Sequence, residues 1–305
     1  MDTTIQSLFA TREQQTPQVL LGDLINTTKI GIEVEVENIT VDAPIKGWRC
    51  IGDGSLRDNG VEYVFKGPVG GLSATRRLDS LCETLSAMPD IRFSHRTSVH
   101  VHVDVRDMTW NELIKYVILY AMIEPYLFAV CGKERDEGIY SLSLYRGKDQ
   151  VSKLSAIARL GPDALRSERY WSKYSSVNLL SVPQFGSLEF RGHEGTADRS
   201  RLINWVNHLL KLKEYAISDS NKLTGLPKVL SNHGPMFMLR EILGDDLINS
   251  NISSATSALQ EVYEGVSIAE DLLYDMRFRS ASESIRQTNN GFNQLEKIRD
   301  KICVD

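Results

Sequence analysis

Cysteine is scarce in this chain: four in 305 residues (Cys50, Cys82, Cys131 and Cys303), far apart and without a C-x-x-C pair. That spacing excludes the common paired zinc-site pattern and the dense disulfide framework of small secreted domains, and it fits a reducing compartment. A cytoplasmic protein is expected. Long basic runs are missing too: 35 Lys and Arg stand against 40 Asp and Glu, a net charge of -5. A sequence-independent grip on long nucleic acid needs a dense cationic face, so no such partner is expected. The most apolar stretch, residues 116–132, carries Glu124 and Pro125 at its middle. It reads as a buried helix and its exit, too short and too interrupted to span a bilayer. The first thirty residues lack the apolar core of a signal peptide, and no membrane association is expected. Repeats and low-complexity tracts are absent as well. What remains, 42% hydrophobic and 25% charged, is the composition of a folded globular protein. The length is about twice the ~150-residue domain prior, which allows two domains or one sheet-based domain with appendages.

Residues 1–28 read as a lead-in, with Pro17 as a break and Leu20, Leu21, Leu24 and Ile25 as a short helical stripe. From Ile30 the apolar residues take every second place, which puts Ile30, Ile32, Val34 and Val36 on the core face of a strand and Glu33, Glu35 and Glu37 on the other. A second strand spans 61–65, with Tyr63 and Phe65 facing one way and Glu62 and Val64 the other; turn-rich stretches around Asp53-Gly54-Ser55 and Asp58-Asn59-Gly60 precede it. Helical spacing covers 73–88. Residues 98–105 alternate again, four valines opposite Ser98, His100, His102 and Asp104. Thr109 caps a helix from Trp110 to about Val130. At 187–196 Leu188 and Phe190 face the core, while Glu189, Arg191 and His193 point away. The remainder is helical, with breaks at Gly225-Leu226-Pro227, Gly234-Pro235 and 249–254. Strands in front and helices behind predict an α+β fold whose mainly antiparallel sheet has one packed and one polar face. The expected divisions are 1–28, 29–220 and a helical C-terminal region, 221–305.

Taken alone, Glu33, Glu35 and Glu37 are what a solvated strand face offers. The reading changes because Glu62, His100 with His102, and Glu189 with Arg191 lie on faces of the same kind, where a solvated sheet would mix in Lys, Thr and Ser. Carboxylates two apart on a strand are roughly 7 Å from one another. In a cleft they repel, and they coexist only with a cation or with raised pKa values. Oxygen ligands with an occasional imidazole suit Mg²⁺, or Mn²⁺, better than Zn²⁺. Since Mg²⁺ binds through a few carboxylates plus substrate phosphates, such a site implies a nucleotide, with Arg191 placed to meet a transferring phosphoryl group.

Six segments in order then carry a resemblance: G-I-E-V-E-V (from Gly31), D-G-S-L (from Asp53), V-E-Y-V-F-K-G-P (from Val61), S-V-H-V-H-V-D (from Ser98), R-Y at Arg169 with V-N-L from Val177, and L-E-F-R-G-H-E-G-T (from Leu188). Across about residues 29–216 the chain resembles the amidoligases, carboxylate-amine ligases with a glutamine synthetase-like fold, related to glutamine synthetase and glutamate cysteine ligase. The resemblance implies a curved, mostly antiparallel sheet with helices on its outer face. It further implies that Glu33, Glu35, Glu62, His100 and Glu189 hold divalent ions around ATP phosphates and that Arg191 contacts the γ-phosphate. Glu35, Glu189 and Arg191 thereby become the candidate catalytic residues. His102 is placed as a nucleotide contact or a group behind the ligands, and Arg169 and Asn178 as further nucleotide contacts.

Other positions have two readings each. Asp53 and Ser55 suit a turn as well as a substrate contact. Arg135, Tyr140 and Arg146 suit an anion clamp, because arginine forks bind carboxylate and phosphate, or a plain surface. Tyr170 and Tyr174 suit packing; His193 suits the polar face or an ordinary loop hydrogen bond. The expected activity is ATP-dependent formation of an amide or peptide-like bond through an acyl phosphate, from a small carboxylate and an amine: amino acid, peptide or polyamine. Glu37 is one candidate for the base that deprotonates the amine. The rivals are a metal-dependent phosphodiesterase or nuclease and a nucleotide-binding relative without catalysis; the joint presence of Glu189 and Arg191 speaks against the second.

Overall fold

In the computed structural model, which describes residues 3–9, 20–39, 44–132, 135, 141–166, 171–218 and 221–287, the alternating segments become strands. They are β1 (Ile30–Val36), β2 (Trp48–Gly52), β3 (Val61–Phe65), β4 (Ser98–Asp104), β5 (Val177–Asn178) and β6 (Ser187–Glu194). All neighbours pair antiparallel, in the order β2-β3-β1-β4-β6-β5. Period-two alternation sorts the side chains: Ile30, Ile32, Val34, Tyr63, Val99, Val101, Val103, Leu188 and Phe190 are all buried, and the carboxylates and imidazoles take the opposite face. The α+β class with an antiparallel sheet is therefore what the pattern predicts.

Helices cover the apolar face and continue past it. They are α1 (Ile5–Phe9), α2 (Gly71–Ser86), α3 (Trp110–Cys131), α4 (Lys148–Leu160), α5 (Ser181–Phe185) and α6 (Arg199–Ile217), then α7 (Asn221–His233), α8 (Pro235–Leu243), α9 (Asp245–Ser250), α10 (Ile252–Ser257) and α11 (Leu259–Gln287). The beam of this layer is α3. Thr109 and Glu112 close a capping box at its start, satisfying two orphan N–H groups. Its rings of Tyr116 and Tyr120 sit 5.3 and 5.2 Å from Phe190 of β6, contacts worth about 0.5–1.5 kcal/mol each beyond area burial. Contrary to the expectation for 116–132, α3 is long and apolar enough to cross a membrane, but it is mostly buried inside the protein. Its buried Glu124 is satisfied by the Tyr145 N–H at 2.8 Å and by the Ser176 hydroxyl.

Pro125 does not end this helix. Proline removes the hydrogen bond to the carbonyl four residues back, that of Ala121. The glycine of α11 lies against that spot: a Cβ on Gly265 would fall 2.5 Å from the Met122 carbonyl oxygen and 2.9 Å from that of Ala121. Only a residue without a side chain permits this approach.

Three further expectations need correction, and one strand lies where none was expected. Residues 22–26 form turns and bends rather than a helical stripe, because Gly22 adopts φ +61° and seats against Leu72. β2 carries no alternation signal: only Trp48 is buried, edge-to-face with Phe65 at 4.4 Å between ring centroids, and the rest of this edge strand is exposed. Gly225-Leu226-Pro227 does not break α7, since buried Leu223, Leu226 and Leu230 hold the helix against the core. Finally, His193 does not point away from the core. The register between β4 and β6 shifts by one residue at Arg191 and Gly192, a β-bulge that turns His193 to the apolar side. There it is fully buried, 5.7 Å from the Trp205 ring, and burial pushes its pKa down to about 3.

Candidate metal centre on the open sheet face

Strand register assembles the centre. Glu35 stands opposite Glu62, Glu33 opposite His100, and His102 opposite Glu189, so four strands each place a charged or imidazole group in one patch. Asp53 joins from the loop between β2 and β3. Three overlapping triads result, each with one ligand atom per residue within 4.8 Å of the others: Glu33, Glu62 and His100; Glu33, His102 and Glu189; Glu35, Asp53 and Glu62. All five metal-ligand candidates read from the sequence, Glu33, Glu35, Glu62, His100 and Glu189, fall within this patch.

Its two ends differ in charge. At one, His100 Nδ1 lies 3.1 Å from Glu33 Oε2 and His102 Nε2 3.5 Å from Glu33 Oε1. Arg191 Nη1 donates to Glu189 Oε1 at 2.5 Å, and Asn178 Nδ2 to Glu189 Oε2 at 2.7 Å. Burial alone would raise the pKa of Glu33; hydrogen bonds and charge from His100 and His102 outweigh it and hold the carboxyl well below the usual range. The same contest lowers Glu189, where burial is overcome by the charges of His100, His102 and Arg191. His102 titrates higher than an ordinary imidazole, for its bond to Glu33 outweighs burial.

At the other end, carboxylates face carboxylates. Ser98 donates to Glu35 Oε2 through its N–H at 2.7 Å and its hydroxyl at 2.6 Å. That single hydroxyl proton being used, the Ser98 oxygen is left to accept from His100 Nε2, 2.7 Å away. Burial, then the charges of Glu33 and Glu35, push Glu62 up to about 8, with a hydrogen bond to Glu33. A carboxyl group that keeps its proton at neutral pH because it is buried among anionic neighbours sits where a divalent cation could replace that proton. Five carboxylates and two imidazoles form a donor set suited to hard ions.

Comparison of the sequence with protein-family models and with curated proteins gives no match.

Two clefts open on either side of the patch, and Glu33 lines both. One, of about 260 Å³, is bounded by Asp53, Ser55, Arg96, Ser98, Tyr174 and Arg191 together with the acidic residues. The other, of about 300 Å³, combines Phe65, Pro68 and Phe185 with Lys29, Arg49 and Arg106. His102 stands at its edge, 6.0 Å from the Phe185 ring, with Nδ1 3.0 Å from Ser187 Oγ.

Arg191 and Gly192 form the bulge, and the main chain there is held from two sides. The Arg191 N–H donates to the Ser176 carbonyl at 2.8 Å, and its own carbonyl accepts from Arg135 Nη2 at 3.1 Å. Arg135, expected as an anion clamp, is thus a buried group fastened to backbone carbonyls of Arg191 and His95. Asn178 touches Glu189 rather than lining either cleft. Glu37 accepts the Arg57 N–H at 3.0 Å and fixes that loop, while Arg146 lies over the Tyr145 ring. Arg169, Tyr170 and Tyr140 lie outside the described residues. Sequence reasoning missed Arg96, which precedes β4 in a loop with no periodic pattern. It also left Tyr174 to packing and gave Ser98 no role, although Ser98 begins the same polar row as His100.

Proposed function

We propose that the protein is an ATP-dependent carboxylate-amine ligase of the glutamine synthetase-like kind, an amidoligase that makes an amide or peptide-like bond through an acyl phosphate. The observation that carries this reading is the meeting of Glu33, Glu35, Glu62, His100 and Glu189 on one sheet face with Arg191 beside them. Glu33, Glu35, Asp53, Glu62, His100 and Glu189 would hold Mg²⁺ or Mn²⁺. When bound, such ions neutralise phosphate charge and orient the nucleotide.

Arg191 supplies fixed positive charge where the γ-phosphoryl group moves. Its guanidinium is steered by Glu189 and its main chain by Arg135 and Ser176, so little reorganisation accompanies the transfer. A carboxylate oxygen attacks the γ-phosphorus in line, the bond to the β-phosphate bridge oxygen breaks, and ADP leaves. The amine, deprotonated, then adds to the acyl carbon and expels phosphate. Asn178 orients Glu189 while Ser98 orients Glu35, the supporting contacts that hold ligands in place. The apolar cleft with Phe65 and Phe185 suits a base and the polar cleft suits the acid, the two meeting at Glu33.

A screen of ADP release over pairs of amino acids, small peptides and polyamines, with mass spectrometry of the product, tests the proposal. ADP production that requires Mg²⁺, an acid and an amine together is the expected result. Cleavage of a phosphodiester without ATP would replace the ligase with the hydrolase.

A further inference from the structure

The Ser176 carbonyl, which takes the Arg191 N–H at the bulge, stands one residue before β5, the shortest strand of the sheet: two residues at its edge. So short a ladder supplies few hydrogen bonds to fix what precedes it. Trp171 Nε1 donates to the Val177 carbonyl and Ser181 Oγ to that of Asn178, both at 2.8 Å, but these bonds stay within six residues of sequence. The longer fastening is Glu124, 52 residues away in α3. It is fully buried and lines neither cleft. Its Oε1 accepts the Ser176 hydroxyl and its Oε2 the Tyr145 N–H at 2.8 Å. With its proton committed to Glu124, the Ser176 oxygen is left to accept from the Tyr120 phenol, which burial keeps protonated. The phenol oxygen lies under the bulge, 3.2 Å from where a Cβ on Gly192 would stand. Leu142 binds the same segment from the side, its N–H donating to the Tyr174 carbonyl at 2.8 Å and its carbonyl accepting from the Ser176 N–H at 2.9 Å.

A buried carboxylate is costly unless donors meet it, and its charge-assisted hydrogen bonds are the strong ones. Resting on the ligase reading, we propose that Glu124 is a positioning residue for phosphoryl transfer, acting through Ser176 on the main chain that aims Arg191. Glu124→Gln keeps the shape but leaves one acceptor oxygen where the carboxylate has two. With that oxygen on the Tyr145 N–H, the new NH₂ group faces the Ser176 hydroxyl, and the donors must reverse from Ser176 to the phenol under Gly192. Fixed positive charge helps only where the transferring phosphoryl group passes, so a displaced bulge costs rate without removing any group that touches the reactants. Glu124 meets neither nucleotide nor acid; it keeps Arg191 in place.

A double-mutant cycle with Arg191 tests this on the full-length protein. Glu124→Gln is expected to lower kcat for Mg²⁺-dependent ADP release about 10- to 100-fold, the cost of a misplacement of about 1 Å, with KM for ATP unchanged. In an Arg191→Ala background the same substitution should cost about twofold or less, because the group it aims is gone. Ser176→Ala, which removes the hydroxyl and keeps the carboxylate, should show the same pattern, and it carries the test where Glu124→Gln fails to fold. Hydrogen exchange of the metal-free protein reads the position directly: either variant should speed the Arg191 amide about 10-fold, the worth of a hydrogen bond, and leave the β1 amides as in the wild type. An equal loss of kcat with and without Arg191 would overturn the proposal, as would faster exchange spread evenly over the sheet; either makes Glu124 a plain structural residue. Full activity in both variants would overturn it too. The ligase reading is separately at stake: wild-type protein that releases no ADP with Mg²⁺, acid and amine would remove it, while the exchange measurement, which needs no turnover, would still report whether Glu124 holds Arg191.

Discussion

The two ends of the ligand patch hold the same residue type on the same sheet and titrate in opposite directions. Glu189 and Glu33 face imidazoles and a guanidinium and lie below the carboxylate range, whereas Glu62 faces carboxylates and rises to about 8. Burial opposes ionisation at all three. Neighbouring charge decides the sign, which means that one end is ionised at neutral pH and the other keeps its proton. Under the proposed function, the Arg191 end would receive phosphate charge and the Glu62 end would take the divalent ion.

The largest effect should come from removing ligand charge. Glu35→Gln or Glu189→Gln is expected to cut Mg²⁺-dependent ADP release by more than about 100-fold, beyond the loss seen for contacts behind a ligand, with the circular dichroism spectrum unchanged; normal turnover by both variants would dissolve the metal assignment. Next comes Arg191→Ala. Its kcat should fall about 10²- to 10³-fold while Mg²⁺-ADP binding, measured by calorimetry, holds. An unchanged rate would place Arg191 outside the reaction.

The proton at the other end gives a smaller, graded effect. Displacing it should make divalent-ion affinity rise about tenfold per pH unit up to pH ~8, where Glu62 ionises; a proton count by calorimetry in two buffers reads this directly. For the metal-free protein the sign is the reverse. A carboxyl group with a raised folded-state pKa adds stability that is complete below the ordinary carboxylate value and is lost as pH rises through about 8. Thermal melts in chelator should therefore fall between pH 5 and about pH 8, and Glu62→Gln should flatten the curve. Smallest of all, Asn178→Ala is expected to weaken activity about 10-fold by freeing Glu189.

Much of this site can be read in the chain because strand periodicity is strict at 30–36 and 98–104 and sets Glu62 opposite Tyr63 and Phe65 at 61–65. Alternation puts Glu33, Glu35, Glu62, His100 and His102 on one side before any coordinate is known, and antiparallel register does the rest. Where the period fails, legibility fails with it. The bulge at Arg191 and Gly192 inserts one residue, so His193 lands in the core although counting by twos sends it outward. β2 has one buried anchor, and no pattern marks so exposed an edge. Arg96 and Tyr174 belong to loops, whose side chains are aimed by tertiary contacts alone, and the fastening of Arg135 to the Arg191 carbonyl spans 56 residues of sequence. Pro125 and Pro227 read locally as interruptions, but packing kept both helices intact.

The glycine notch over Pro125 ties distant parts of the molecule into one mechanical chain. A methyl group at Gly265 would have to lift α11 from the main-chain oxygens of Ala121 and Met122. That would loosen α3 beneath Phe190, the residue between Glu189 and Arg191. One missing hydrogen-for-carbon exchange near the end of the polypeptide thus guards the aim of the arginine at its centre.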